Sequence, residues 1–501
     1  MATGICYLIG AGPGDPRLLT IRAQQILSCA DVVVYDYLCN PRLLRWTRPD
    51  AEKVLAGKRS RNPELTQEAT NAILIDRTRR GLVVARLKGG DPCVFGRGGE
   101  EAEQLAKAGL RFEIVPGITS AIAVPAYAGI PVTHRDHCSE FIVATGHIDP
   151  HKHAVNLDYP LLARFQGTRI ILMGVGKLRE ITANLIAAGS APDTPAAVVQ
   201  WGTLRRQRSV RGTLADLATA AERERIGPPG VIVVGGVASM GDELRWFDRG
   251  PLFGQRVVVT RPTTEAEPLA LALEDLGADI IEVPLIRIAP PADPAALEAS
   301  ARRAGEFDWI AFASANAARA FFGALFRVGT DIRGLAGTRF AVVGEETASV
   351  LRSLHLLPDL VPSKFTGDAL AAVFRDMDMG GKRVLLPRGN LGREALEQSL
   401  RKQGAVVEVV EAYRTEAETG DPFGGRARLA EEGADWVTFA SPSAAEQWFA
   451  QRIACPGSWK AASIGPATSA RLRALGREPG AEADPHTADG LVAAILAASQ
   501  I

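Results

Sequence analysis

Short apolar runs recur along all 501 residues, many ended by glycine or serine and followed by apolar positions at helical spacing. They include Ile5–Ile9, Asp31–Asp36, Gly81–Leu87, Arg111–Val115, Phe141–Gly146, Arg169–Gly174, Ala196–Trp201 and Gly230–Gly235. Runs of this length with little alternation read as strands buried on both faces, and helices between them imply mainly parallel α/β sheets. A chain this long exceeds one ordinary core, so two to four domains are expected. The sharpest break in the pattern is Arg86–Glu101, which leaves an apolar strand, crosses a turn and enters a helix at Gly98. Five of its sixteen residues are glycine. Its backbone can therefore approach a ligand closely, and the ends of buried strands are where α/β proteins place ligands.

The periodicity lapses between Gly241 and Gln255 and restarts at Arg256-Val-Val-Val-Thr-Arg-Pro262. This divides the chain into residues 1–245, a linker at 246–255, and residues 256–501. Pro116-Gly117 is a natural hinge, giving units of about 1–115 and 117–245. The C-terminal half carries near copies. Asp308-Trp-Ile-Ala-Phe-Ala-Ser314 matches Asp435-Trp-Val-Thr-Phe-Ala-Ser441, and Phe340–Thr347 matches Ala461–Thr468. Matched pairs imply two similar α/β lobes, one from about 256–290 plus 414–501 and the other from about 294–410.

Lys plus Arg equals Asp plus Glu at 57 each, so no overall field argues for nucleic acid or a membrane surface. No apolar run reaches the roughly 18 residues of a membrane span. Six scattered cysteines without a C-x-x-C, and an N-terminus without a leader pattern, suggest reduced thiols in a cytoplasmic protein.

Gly10-Ala-Gly-Pro-Gly-Asp15 invites a dinucleotide reading, but Pro13 intrudes and Asp15 would repel a pyrophosphate. Asp36, at a strand end, is either a general base or a turn residue. Lys58-Arg59 either binds a carboxylate or lies in a solvated loop. Arg97, flanked by glycines, has a guanidinium free to grip an anion. Thr119 and Ser120 have the spacing of a helix cap. His134, His137, Cys138, His147, His151 and His153 match no tetrahedral zinc spacing, so no metal is expected. No Gly-x-Ser-x-Gly elbow supports a hydrolase. Ser314, Thr347, Ser441 and Thr468 read as helix N-caps. With Arg261 and Arg388 they would suit a cleft for a polyanion.

Residues 1–245 resemble the uroporphyrinogen-III C-methyltransferases of the tetrapyrrole methylase family. The matching segments are Gly10–Pro16, Tyr35-Asp-Tyr-Leu38, Gly57-Lys-Arg59, Arg86–Gly99, Val115–Ala121, Ala126–Arg135, Thr145-Gly-His147 and Met173-Gly174. Residues 255–501 resemble uroporphyrinogen-III synthase through Val259–Pro262, Ala313–Asn316, Val343–Thr347, Pro387–Asn390, Glu411–Thr415, Thr438–Ser443 and Ile464–Thr468. Ala313 and Ala440 stand where that family usually has threonine.

The resemblance implies two α/β units with a cofactor cleft between them, followed by a two-lobed α/β fold. It implies S-adenosylmethionine against Pro13, Gly89, Gly90, Asp91, Val94, Thr119, Ser120, Met173 and Gly202, leaving S-adenosylhomocysteine as product. Asp36 would be the base, Lys58 a proton donor, and Arg97 the group that holds or polarises the substrate. In the second half Tyr413 would assist loss of a hydroxyl, while Ser314, Thr347, Ser441 and Thr468 hold carboxylates. The implied reactions are closure of hydroxymethylbilane to uroporphyrinogen III with ring D inverted, and methylation of that product at C-2 and C-7 to precorrin-2. A homodimer through the methylase half is implied as well. The alternative is a different methylase of the cobalamin pathway whose C-terminal half only senses tetrapyrrole. No NAD-binding segment precedes Met1, so neither dehydrogenase nor ferrochelatase activity is expected.

Overall fold

The apolar runs become strands because their side chains have no wet face to turn to: Val32, Val33, Val34, Val84 and Ala85 are at most 1% exposed. The structure is a computed structural model, and it describes residues 4–56, 66–146, 157–362, 367–392 and 394–499. Strands β1 (Ile5–Gly10), β2 (Val32–Asp36), β3 (Glu52–Ala56), β4 (Val83–Lys88) and β5 (Arg111–Val115) form a sheet in the order β3-β2-β4-β1-β5. Every pairing in it is parallel, so all its C-terminal ends share one edge. The apolar positions Leu18, Leu19, Ala23, Ile26 and Leu27 have helical spacing, but the segment is divided. Asp15 caps a short turn at Pro16–Leu18, and Thr20 caps the helix Ile21–Leu27.

A second sheet holds β6 (Phe141–Thr145), β7 (Thr168–Leu172), β8 (Pro195–Gln200), β9 (Arg208–Thr213) and β10 (Gly230–Val234), in the order β6-β7-β10-β8-β9. β10 runs antiparallel to both β7 and β8, so β7 and β8 end at the same edge. β9 was not anticipated. It is an edge strand paired only with β8, and its sequence Arg-Ser-Val-Arg-Gly-Thr carries little apolar signal because one side needs no cover.

Beyond the join come β11 (Arg256–Val259), β12 (Asp279–Glu282), β13 (Ile286–Ala289), β14 (Trp309–Phe312), β15 (Arg339–Val342), β16 (Arg383–Gly389), β17 (Val406–Ala417), β18 (Trp436–Phe439), β19 (Lys460–Ser463) and β20 (Pro479–Glu482). They make two sheets, β12-β11-β18-β19-β20 and β13-β17-β16-β14-β15. β13 pairs antiparallel with the end of β17, Ile286 opposite Ala417 and Ala289 opposite Arg414. The division read from sequence assigns 286–290 and 414–417 to the lobe of the other sheet. Their backbone hydrogen bonds instead extend this one, making a two-stranded ribbon that carries the chain between lobes.

Candidate functional site

In the first sheet, three loops meet at the C-terminal edge because glycine lets their backbones touch. Gly12 and Gly90 exchange N–H···O bonds of 3.2 and 2.8 Å, and the Ala11 N–H reaches the Lys88 carbonyl at 2.8 Å. A Cβ on Gly10 would stand 2.4 Å from the Gly117 Cα, and one on Gly117 would stand 2.4 Å from the Gly90 oxygen. No side chain fits there. Asp91 fixes the same junction. Its carboxylate accepts the N–H groups of Cys93 at 2.8 Å, Val94 at 3.2 Å and Gly117 at 3.0 Å. Thr119 caps the helix Ser120–Tyr127 that follows.

The second sheet adds Met173, Trp201 and Thr203, all non-glycine residues with left-handed backbone (φ 55°, 50° and 68°). With Phe95 and Arg97 they account for five of the eight such residues described. Strain concentrated in this way marks loops held for a purpose. A Cβ on Gly202 would lie 2.4 Å from Val124 in the helix after Thr119. The Thr203 hydroxyl accepts the Asp15 N–H at 3.1 Å. The loops carrying Pro13, Gly89, Gly90, Asp91, Thr119, Ser120 and Gly202 are thus interlocked, with Val94 and Met173 exposed beside them at 36% and 52%. Tyr37, Leu38 and Ile122 are also exposed apolar groups. A backbone-lined cradle with uncovered apolar side chains suits a compact zwitterion carrying an aromatic base. The Asp91 side chain accepts three backbone N–H groups, so it serves mainly to shape the loop.

Asp36, last in β2, accepts a 2.6 Å ion pair from Arg86 Nη2. Behind it lie charges sequence reasoning missed. Arg86 Nε and Lys88 Nζ both meet Glu101 Oε1, at 3.2 and 2.9 Å, and Gln67 donates to the same oxygen at 3.0 Å. Arg86, Lys88 and Glu101 side chains are at most 4% exposed, whereas Asp36 is 30% exposed. Burial lowers the Arg86 pKa, but the Asp36 and Glu101 charges outweigh it and hold the guanidinium above its ordinary value. A fixed cation thus holds Asp36 in place. Two cations on a strand otherwise written in Val, Ala and Leu were the available signal.

Arg97 is not free, as its flanking glycines suggested. Its guanidinium lies along Glu100, with contacts of 2.6, 3.1 and 3.2 Å. Both side chains are half exposed, and such a pair is weak enough for a substrate carboxylate to displace. Lys58 lies outside the described residues, as do His147, His151 and His153. His134 and Cys138 exchange backbone bonds across a tight turn, and no metal-holding group occurs among the described residues.

In the C-terminal half the four parallel strands β14, β15, β16 and β17 and the parallel β11, β18 and β19 present their C-terminal ends to Ser314, Thr347, Arg388, Arg261, Ser441 and Thr468. Ser314 and Ser441 are N-caps, each accepting the N–H three residues on at 3.2 Å. Thr347 and Thr468 are not. Gly344 and Gly465 occupy the cap positions, and both threonines are buried inside the first turn, each 2% exposed. Tyr413 lies against Gly389, where a Cβ would strike its ring at 2.6 Å, and its hydroxyl accepts from Ser314 at 3.2 Å. The two lobes touch through Arg261, 3.1 Å from Glu265 and 3.6 Å from Glu346, and through Asn316, which donates to Glu265 at 2.8 Å. Arg388 pairs with Glu397 at 3.2 Å.

Comparison with known proteins matches the two halves of the chain to different families. The family model for tetrapyrrole (corrin/porphyrin) methylases matches residues 6–218, and that for uroporphyrinogen-III synthase HemD matches residues 267–493. A porphyrin biosynthesis protein HemD of Ruminiclostridium josui is 36% identical over 452 residues, 90% of this chain and 89% of the relative. An S-adenosyl-L-methionine-dependent uroporphyrinogen III methyltransferase of Methanosarcina barkeri is 49% identical over 241 residues, 48% of this chain and 94% of the relative. Among solved structures, uroporphyrin-III C-methyl transferase of Thermus thermophilus, complexed with S-adenyl homocysteine, is 37% identical. It covers 47% of this chain and 98% of its own, with a TM-score of 0.41.

Proposed function

Because the chain belongs to the tetrapyrrole methylases through its N-terminal half and to the uroporphyrinogen-III synthases through its C-terminal half, and so is a bifunctional enzyme of tetrapyrrole biosynthesis, we propose that it performs two consecutive steps. The C-terminal half closes hydroxymethylbilane to uroporphyrinogen III with inversion of ring D. The N-terminal half then methylates C-2 and C-7 to give precorrin-2.

The reading rests on one observation above all. A partly exposed aspartate, Asp36, is held by a buried cation beside a glycine cradle that side chains cannot enter. S-adenosylmethionine would supply an electrophilic methyl group there, held by Pro13, Gly89, Gly90, Asp91, Val94, Thr119, Ser120, Met173 and Gly202. The interlocked loops contribute by fixing the relative placement of the bound molecules, an effect worth up to about 7–11 kcal/mol when alignment is good. Asp36 accepts the proton lost from the methylated ring carbon, Lys58 returns one, and Arg97 exchanges Glu100 for a substrate carboxylate. In the second half Tyr413 assists departure of the hydroxyl, and Ser314, Thr347, Ser441 and Thr468 face carboxylates. Thr347 and Thr468, being buried, act through the helix-start N–H groups beside them.

Phe112 and Ile114 on the edge strand β5, with Ile118 and Phe141, are 37–40% exposed. An apolar face at a sheet edge supports pairing with a second copy of the chain. All six cysteines are free, which supports a cytoplasmic site, and no helix described is long and apolar enough to cross a membrane.

The test is turnover of both substrates by one variant. Asp36→Ala should lower methyl transfer to uroporphyrinogen III by about 10²–10⁴-fold while hydroxymethylbilane closure continues. Arg97→Ala should also impair only the first activity. Methyl transfer surviving both changes would remove these residues from the mechanism.

A further inference from the structure

The join between the halves is built where the cradle loops are. Residues 201–207 form a turn with left-handed Trp201 and Thr203, conformations that cost about 1–3 kcal/mol each and persist only when neighbours enforce them. Within the methylase half, Gln207 ties the turn at both ends, accepting the Thr203 N–H at 2.9 Å and donating to the Tyr127 carbonyl at 3.1 Å. The Trp201 N–H also reaches the Pro229 carbonyl at 3.1 Å, and a further support comes from the other half. The Arg206 guanidinium stacks on the Trp201 ring, 3.7 Å from its centre, and its Nη1 donates to Glu432 at 2.8 Å. Glu432 ends the helix Gly425–Glu432 beyond the join, and Arg428 and Arg256 fix it at 3.0 and 3.5 Å.

The neighbouring loop is anchored in the same way. Arg17 bridges Asp15, at 3.4 Å, and Asp275 of the C-terminal half, at 2.6 Å. Asn40 holds the Gly14 carbonyl at 2.9 Å and caps the turn whose Arg42 pairs with Glu274 and Glu282. A Cβ on Gly14 would meet the Thr203 hydroxyl at 3.0 Å, so the two loops are in close contact.

We infer that the synthase half positions the cofactor-binding turn of the methylase half, with Arg206 and Glu432 as the positioning pair. Neither residue is among those assigned to the cofactor. Glu432 fixes Arg206, Arg206 fixes the Trp201 ring, and the ring fixes the left-handed turn that presents Gly202. The inference rests on the cofactor reading of that turn.

Calorimetric titration of the full chain with S-adenosylhomocysteine tests it, using wild type, Glu432→Gln, Arg206→Met and the double variant. Arg206→Met keeps a stem over Trp201 and leaves Glu432 with Arg428 and Arg256, so it guards against a local collapse around Glu432. Each single variant should weaken binding by about fivefold, the low end of ordinary coupling between sites. The double variant should weaken it no further, because both changes cut one link. Glu432→Asp, which keeps the charge, should recover most of the loss, and hydroxymethylbilane turnover should stay at the wild-type value throughout. Wild-type affinity in either single variant, or losses that simply add in the double, would overturn the inference alone. A wild-type chain with no affinity for S-adenosylhomocysteine would overturn the cofactor reading and this inference with it.

Discussion

Cys93 is the residue from which the cradle can be watched. It is exposed between Asp91, which accepts its N–H, and Arg97. Cys29, just past the helix Ile21–Leu27, is also exposed, whereas Cys6 and Cys39 are buried. Burial, then the Glu101 charge, pushes the Cys6 thiol up to about 12; burial, then Asp36, does the same to Cys39. The folded chain therefore holds these protons more tightly than the unfolded one. Their contribution to stability is present below pH 9 and is lost as pH rises from 9 towards about 12. At pH 8, mass spectrometry after brief iodoacetamide treatment should find Cys29 and Cys93 alkylated and Cys6 and Cys39 spared. S-adenosylhomocysteine should slow reaction at Cys93 and not at Cys29. Equal rates at Cys93 with and without it would place the cofactor elsewhere. At this scale the glycines and Asp36 were legible from local sequence. The Arg86 contact was not, because fifty residues separate the partners and only the sheet order makes β2 and β4 neighbours.

Elements in the C-terminal half repeat more faithfully than their sequences. Ser314 and Ser441 have nearly the same backbone, φ −161° and −160° with ψ 153° and 157°, and the same capping bond. That much could be read from the copied Asp-Trp…Ala-Ser strings. The second repeat misled, since a threonine near a helix start looks like a cap until Gly344 and Gly465 are seen to hold that position. The short edge strand β9 escaped because, paired on one side only, it carries a mostly polar sequence. The cap geometry separates stability from binding at Ser441. Ser441→Asp keeps a good N-cap, so melting should change by no more than a few tenths of a kcal/mol, whereas Ser441→Ala should lose about 1 kcal/mol. The added carboxylate should nevertheless raise the KM for the polyanionic hydroxymethylbilane about tenfold, since like charges within a few ångströms cost on the order of 1–4 kcal/mol near a surface. An unchanged KM with unchanged melting would take Ser441 out of the substrate site.

For the whole molecule, the formal balance of 57 basic against 57 acidic residues conceals where the charges are spent. Arginines were expected to crowd the clefts, to meet carboxylates. Several stand instead at the join, where Arg42 and Arg45 of one half close on Glu282 of the other at 2.8 and 2.6 Å. Their side chains are about a tenth exposed and that of Glu282 is 2% exposed, so these are desolvated pairs whose geometry matters. Glu282→Gln leaves two buried guanidinium groups short of a partner. Arg42 keeps Glu274 and Arg45 keeps Glu267, so the loss should fall below the roughly 3–5 kcal/mol of a fully broken buried pair but still exceed 1 kcal/mol. Scanning calorimetry of the full chain should show a lower first transition and a wider gap between the melting of the two halves. An unchanged trace would mean that the halves share a chain without sharing stability. The sequence could indicate two enzymes in tandem, because each has its own motifs. It could not indicate that the first is completed by contacts from the second, because complementary charges on turns, strands and helices far apart in the chain leave no local pattern.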